Sequence, residues 1–251
     1  MSNIQINVNE ITNNKVISES DVWAMSFYIR QTYERFTVMV VDGYLASETK
    51  FSNEELGYSY TAFFNPDNAE HLAFADTSLG RNLQLIRSAI AAEDPKSFIL
   101  NDKIMSAGAF NGGMDDFLEE TLVPCMPIQF LVSSGSMEVN IDLDSLHQLL
   151  IHYFAVIKLH FGSLDAAPQT DNSERHIWAL GIDPELFSFR EMTLLSGYKT
   201  ERGVRNLASP STPAHRRISI IKQGRLTLIE HQEAVRWLQS RKVGRTDVEG
   251  N

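Results

Sequence analysis

The chain has 251 residues, 43% of them hydrophobic and 22% charged, with a single cysteine and a formal net charge of −10. That length holds two domains with buried cores, the lone Cys125 excludes an intrachain disulfide, and no apolar run approaches the ~20 residues of a membrane span. The charge is uneven: residues 190–245 carry twelve Lys and Arg against four Asp and Glu, a net +8, which leaves −18 for the rest. Charge acts within a Debye length of ~10 Å, so a basic segment on an acidic chain reads, whatever the overall sign, either as a hint of nucleic-acid contact or as a basic solvated surface with no partner.

The first fifteen residues are polar and lack a basic region followed by an apolar one, so no signal peptide is expected. A lone Cys fits a reducing cytoplasm, and Cys125 reads as a small buried hydrophobe rather than a nucleophile.

Trp23, Met25, Phe27, Ile29, Tyr33, Phe36, Met39, Val40 and Tyr44 predict a helix from Ser18 to about Ala46. Ser20 or Asp21 would cap it, and Asp42-Gly43 would break or end it. It is apolar around much of its circumference, as a central or interface helix is. Residues 47–68, with Gly57 and Asn65-Pro66-Asp67, read as loop. A second helix is predicted over 69–92, with Leu72, Phe74, Leu79, Leu83, Leu85, Ile86 and Ile90 as core. Gly80 weakens it by about 1 kcal/mol relative to alanine. Short helices follow over 96–109 and 113–121, separated by the turn Asn111-Gly112-Gly113. Residues 123–139, with Pro124 and Pro127, read as extended. A strong helix starts at Asp144 or Ser145 and runs through His160, with Leu146, Leu149, Leu150, Tyr153, Phe154, Val156, Ile157 and Leu159 as core. The polar stretch from Leu164 to Glu174 reads as a linker. The organisation expected is therefore an acidic helical domain over 1–165, a linker over 166–175 and a basic module over 176–251.

The module carries the most local information. After a short helix around Arg175 to Leu180, Asp183-Pro184 is a helix-start pair. Ser188-Phe189-Arg190-Glu191 is a capping box, opening a helix from Phe189 to Ser196 that Gly197 ends in the left-handed conformation. Thr200 caps a second helix, Glu201 to Ala208. Its Val204 and Leu207 face inward and its Arg202, Arg205 and Asn206 outward. Ser209-Pro210-Ser211-Thr212-Pro213 forms a loop before Arg216 and Arg217. Residues 218–222 and 225–229 read as a β-hairpin about Gln223-Gly224, with Lys222 and Arg225 flanking its tip. Glu230 to Lys242 is an amphipathic closing helix with Ala234, Val235, Trp237 and Leu238 turned inward.

The order of helix, turn, helix, basic hairpin and closing helix resembles the winged helix-turn-helix modules of MerR-like and excisionase-like bacterial DNA-binding proteins. The stretches that carry the resemblance are LLSGYKTERGVRN (194–206) and KQGRLTLIEHQEAVRWLQ (222–239), about a quarter of the chain. The fold class expected is mainly α, with a helical amino-terminal domain and a small winged helix-turn-helix module bearing one hairpin. The resemblance implies a recognition helix presenting Arg202, Arg205 and Asn206 to base edges and a wing placing Lys222 and Arg225 on phosphates. Lys199, Thr200, Arg216 and Arg217 complete the DNA-contact residues expected. One departure stands out: the apolar residue of the second helix, Val204, follows Gly197 by seven positions rather than six, and Gly203 takes the usual place.

No chemistry is visible upstream. His147, His152 and His160 are spaced five and eight apart, not the four of a helical metal pair, and read as ordinary histidines. Asp115, Asp116, Glu119 and Glu120 read as a solvated face, and Asp142 and Asp144 as residues that precede or cap a helix. Ser133-Ser134-Gly135-Ser136 lacks the nucleophile-elbow frame, and no phosphate loop or dinucleotide fingerprint occurs. No cofactor, metal or catalytic residue is expected. The aromatic residues from Trp23 to Tyr44, with Tyr58, Tyr60, Phe63 and Phe64, read as core or dimer interface ahead of an effector pocket. The function expected is that of a cytoplasmic homodimeric transcriptional regulator that binds double-stranded DNA, with a small-molecule effector unidentified and no membrane partner. A protein-interaction adaptor and an enzyme with an unrecognised amino-terminal site are the alternatives.

Overall fold

The computed structural model describes residues 17–45, 63–100, 121, 143–167 and 180–246; for 34–45, 143 and 242–246 only the helical backbone is described. Its elements are α1 (Glu19–Leu45), α2 (Ala69–Ala75), α3 (Ser78–Ala91), α4 (Pro95–Ile99), α5 (Leu143–Phe161), α6 (Phe189–Ser196), α7 (Glu201–Asn206), β1 (Ile221–Gln223), β2 (Leu226–Leu228) and α8 (His231–Thr246). The described chain is mainly helical with one two-stranded antiparallel sheet near its end. Cys125, the loop at 47–62, the segments 101–120 and 123–139, the linker residues 168–175 and all but the last residue of the short helix expected from Arg175 to Leu180 lie outside the described residues. No described helix is long and apolar enough to cross a membrane.

The chain divides into two discontinuous units. One comprises Ile17–Leu85 and Glu119–Leu146, and the other Met1–Val16, Ile86–Leu118 and His147–Asn251. From His147 onward α5 therefore belongs with the carboxy-terminal residues, and the boundary expected at 165 falls inside that unit.

In the unit that holds α1, the helix expected from Ser18 to about Ala46 runs from Glu19 through Asp42-Gly43 to Leu45. The single helix expected over 69–92 is two, α2 and α3, separated at Asp76-Thr77. Gly80, where weakness was expected, is helical and allows a close approach instead. A Cβ there would lie 2.4 Å from Ser26 Oγ and 2.5 Å from the carbonyl oxygen of Ala75. Ser26 Oγ donates to that same carbonyl at 2.6 Å, so α1 meets the end of α2 where only glycine fits. Phe27 anchors an aromatic cluster with Phe74 (5.2 Å) and Phe64 (5.6 Å), while the neighbouring Phe63 is exposed.

In the other unit α5 is the central element. All the apolar positions expected along it are buried, and so are His152 and Lys158. A helix apolar on every side belongs inside a core, and the carboxy-terminal elements build around it. His231 Nε2, at the start of α8, lies 3.0 Å from the carbonyl oxygen of Leu159. Leu164 is buried and its N–H donates to the carbonyl of Pro184 at 2.9 Å, so the segment expected to be linker begins as packed structure.

Candidate nucleic-acid interface

The basic surface is assembled from α6, α7 and the hairpin, and local side-chain chemistry sets each boundary. Ser188 and Glu191 form the reciprocal capping box at the start of α6. Gly197 ends that helix at φ 67 and ψ 21, a conformation that costs other L-residues roughly 1–2 kcal/mol. The Thr200 hydroxyl accepts from the Gly203 N–H at 3.3 Å and opens α7. The Asp183-Pro184 pair does not start a helix. Asp183 Oδ1 accepts from the N–H groups of Glu185 (2.9 Å) and Leu186 (2.7 Å), closing a side-chain turn that directs Phe187 and Ser188 into α6.

The turn between α6 and α7 explains the glycine at 203. Tyr198 lies in that turn, stacked on Trp237 of α8 with centroids 6.1 Å apart. A Cβ on Gly203 would lie 3.0 Å from Tyr198 Cδ1, so the tyrosine ring occupies the room that a side chain at 203 would need. Val204 becomes the wholly buried residue of α7. Arg241 of α8 lies 4.6 Å from the Tyr198 ring and donates to the carbonyl of Ser196 at 2.5 Å, placing a cation at the carboxyl end of α6. Leu207 is the C-cap of α7, which ends at Asn206, two residues earlier than expected.

Strand β1 is shorter than the sequence pattern predicts because its first residues bond elsewhere. The N–H of Ile218 donates to the carbonyl of Leu207 at 3.1 Å, and that of Ser219 to Glu233 Oε1 at 2.7 Å. Pairing of Gln223 with Leu226 makes a two-residue turn of Gly224-Arg225, one position later than expected, with Gly224 at φ 59. Ile229 exchanges two backbone hydrogen bonds of 2.8 Å with Phe187, tying the hairpin's return to the start of α6.

Of the candidate contact residues, Lys199, Thr200, Arg202, Arg205, Asn206, Arg216, Lys222 and Arg225 are exposed. Arg205 lies 3.7 Å from Glu201, one turn earlier on the same helix, and 5.5 Å from the Phe189 ring. Arg217 is engaged internally. Its Nε donates to the carbonyl of Thr212 at 3.0 Å, and its Nη2 to those of Thr212 (2.8 Å) and Pro210 (2.5 Å), which staples the proline loop. Arg217 is a structural residue here rather than an open phosphate ligand. Thr200 likewise serves as a cap. Arg205 and Arg225, from α7 and the hairpin, line one solvent-open cleft of about 580 Å³ with Arg190 of α6. Arg190 was not among the sequence candidates, although the sequence held a signal. It stands in the first turn of α6, where the helix dipole disfavours a cation.

The unit's polar interior is also particular. Lys158 Nζ lies 2.6 Å from Glu191 Oε1 and donates to the carbonyls of Asp183 (2.8 Å) and Leu186 (2.5 Å). Burial pushes the ammonium below its ordinary pKa, opposed by the Glu191 carboxylate. Burial also holds His152 down to about 4. Among the described residues no group of three or more His, Cys, Asp or Glu is placed to hold a metal ion. In comparisons with known proteins, no family model, no curated protein and no solved structure matches the chain.

Proposed function

We propose that residues 180–246 form a winged helix-turn-helix module, that the protein binds double-stranded DNA through it, and that it acts as a homodimeric regulator in the cytoplasm. The observation that carries this reading is the presentation of Arg202, Arg205 and Asn206 on the outer side of α7, a helix held by a left-handed glycine turn next to a hairpin with Arg225 in its Gly224-Arg225 turn and Lys222 exposed on the adjoining strand β1. Arginine pairs with guanine and asparagine with adenine through two hydrogen bonds in the major groove, and the second helix of such a pair is the one that enters it. Lysine and arginine at a hairpin tip meet phosphates, which positions the module without selecting sequence. A homodimer would set two modules on half-sites about one helical turn apart.

Selection by the full chain from a pool of random duplexes tests the reading. An enriched sequence is expected, and Arg205→Ala should relax its preference at one base pair, at a cost of about 1–3 kcal/mol. If the folded chain enriches no sequence, or if Arg205→Ala retains the full preference, α7 is not the reading helix.

A further inference from the structure

The cleft between α6, α7 and the hairpin carries more than positive charge. Arg190, Arg205 and Arg225 line it from three different elements, and its hairpin wall is aliphatic, with Ile220 38% and Leu226 60% exposed. The one carboxylate in it, that of Glu201, lies 3.7 Å from Arg205. Among the described residues no carboxylate pairs with Arg190 or Arg225. A leucine left so open on a two-stranded hairpin gains nothing from the fold, and an arginine in the first turn of α6 is opposed by the helix dipole. Both fit a ligand that alternates anionic and carbon-rich surface along its length. A DNA strand has that character, with phosphates separated by deoxyriboses.

We infer that this cleft seats one strand of the duplex, with Arg190 and Arg225 on its phosphates and Ile220 and Leu226 against the sugars between them. The inference rests on the DNA-binding reading and adds Arg190, Ile220 and Leu226 to the contact surface. It also orients the module, because the strand must pass between the hairpin and α7. An acidic peptide with an apolar anchor is the competing occupant. The exposed cations on α7 and at the hairpin turn extend the positive surface beyond the cleft, as a duplex requires and a short peptide does not.

The test is fluorescence anisotropy of the full chain with a labelled duplex across a salt series, for the wild type, Arg190→Ala, Leu226→Ser and Lys222→Ala. Both cleft side chains are partly or largely exposed, so circular dichroism should show all variants folded. Arg190→Ala is expected to weaken binding several-fold and to reduce the log–log salt slope by about 1, the signature of one lost phosphate contact. Leu226→Ser is expected to weaken binding with the slope unchanged. If both cleft variants keep wild-type affinity and slope while Lys222→Ala weakens binding, the DNA reading stands and the strand runs outside the cleft, which overturns the inference. If the wild type binds no duplex but binds a labelled Glu/Leu copolymer, and Arg190→Ala abolishes that, both readings fail and the cleft is a protein-docking site.

Discussion

Lys158 of α5 and Glu191 of α6 form an ion pair sealed from solvent, with side chains 0% and 1% exposed and Nζ and Oε1 2.6 Å apart. The two residues do different local jobs and share one charge balance. Glu191 closes the capping box of α6, accepting from the Ser188 N–H at 2.8 Å. Lys158 uses its remaining donors on the carbonyls of Asp183 and Leu186, fixing the segment that leads into α6. The first helix of the basic surface is thereby anchored to a core-helix residue thirty-three positions earlier in the chain.

Breaking that pair from one side should be costly. Removing one partner of a buried ion pair leaves an uncompensated charge, worth about 3–5 kcal/mol, whereas removing both together costs much less. Lys158→Met should therefore lower unfolding stability in urea by about that amount. Lys158→Met with Glu191→Gln should recover a large part of it, since glutamine still serves a capping box. A double-variant loss equal to the sum of the Lys158→Met and Glu191→Gln losses would mean that the pair carries no coupling. The same geometry predicts that a fragment beginning at residue 176, which lacks α5, does not fold cooperatively.

The capping chemistry gives a second, smaller expectation. Ser188→Ala removes the acceptor for the Glu191 N–H and should cost about 1 kcal/mol. Gly197→Ala forces a side chain into the left-handed region and should cost about 1–2 kcal/mol. Urea midpoints for the two variants check both figures, and neither variant should change the denaturant slope.

Stability should fall in mild acid. The folded pKa of His152 is depressed to about 4 from the ordinary 6.5 because burial disfavours the imidazolium. Between those values the unfolded chain binds a proton that the folded chain does not, so stability is lost as pH falls from about 6.5 towards 4 and is fully present above that window. For His152 the loss by pH 4.5 is about 2–3 kcal/mol. His160, also held at about 4 by burial, acts in the same direction. Urea unfolding at pH 7 and 4.5 should show that His152→Leu reduces the difference between the two pH values. An unchanged difference would place the acid sensitivity elsewhere.

The parts of the fold that sequence pattern revealed are those fixed by neighbours in the chain. The Ser188/Glu191 box, the Gly197 end of α6, the Thr200 cap and the Gly224 turn each involve a side chain and backbone within four residues, so the residue types announce them. The periodicity of α1 and α5 was equally plain. What stayed hidden depends on distant partners. Nothing near Lys158 marks it as the counter-ion of Glu191, and nothing near Arg217 marks it as the staple of the proline loop. The pattern over 69–92 predicts one helix with Gly80 as its weak point, whereas the chain breaks at Asp76-Thr77 and the glycine admits Ser26 from α1. The short β1 follows from hydrogen bonds that Ile218 and Ser219 make to Leu207 and Glu233, which no strand propensity encodes. The cations of the candidate interface were legible as a cluster, but Arg190, Ile220 and Leu226 join it only through the tertiary cleft.

The two hairpin cations should act on affinity without acting on sequence. Lys222→Ala and Arg225→Ala are each expected to weaken all duplexes alike and to lower the salt slope by about 1. Competition between the selected duplex and a scrambled one measures this: the ratio of the two affinities should stay at its wild-type value in both variants.

The most direct measurement is equilibrium binding of the full chain to duplex DNA between 50 and 200 mM salt. With about four phosphates met by each module, affinity should drop by roughly two orders of magnitude over that range for one module and further for a dimer. Absence of duplex binding at 50 mM salt, from protein shown by circular dichroism to be folded, would contradict the account.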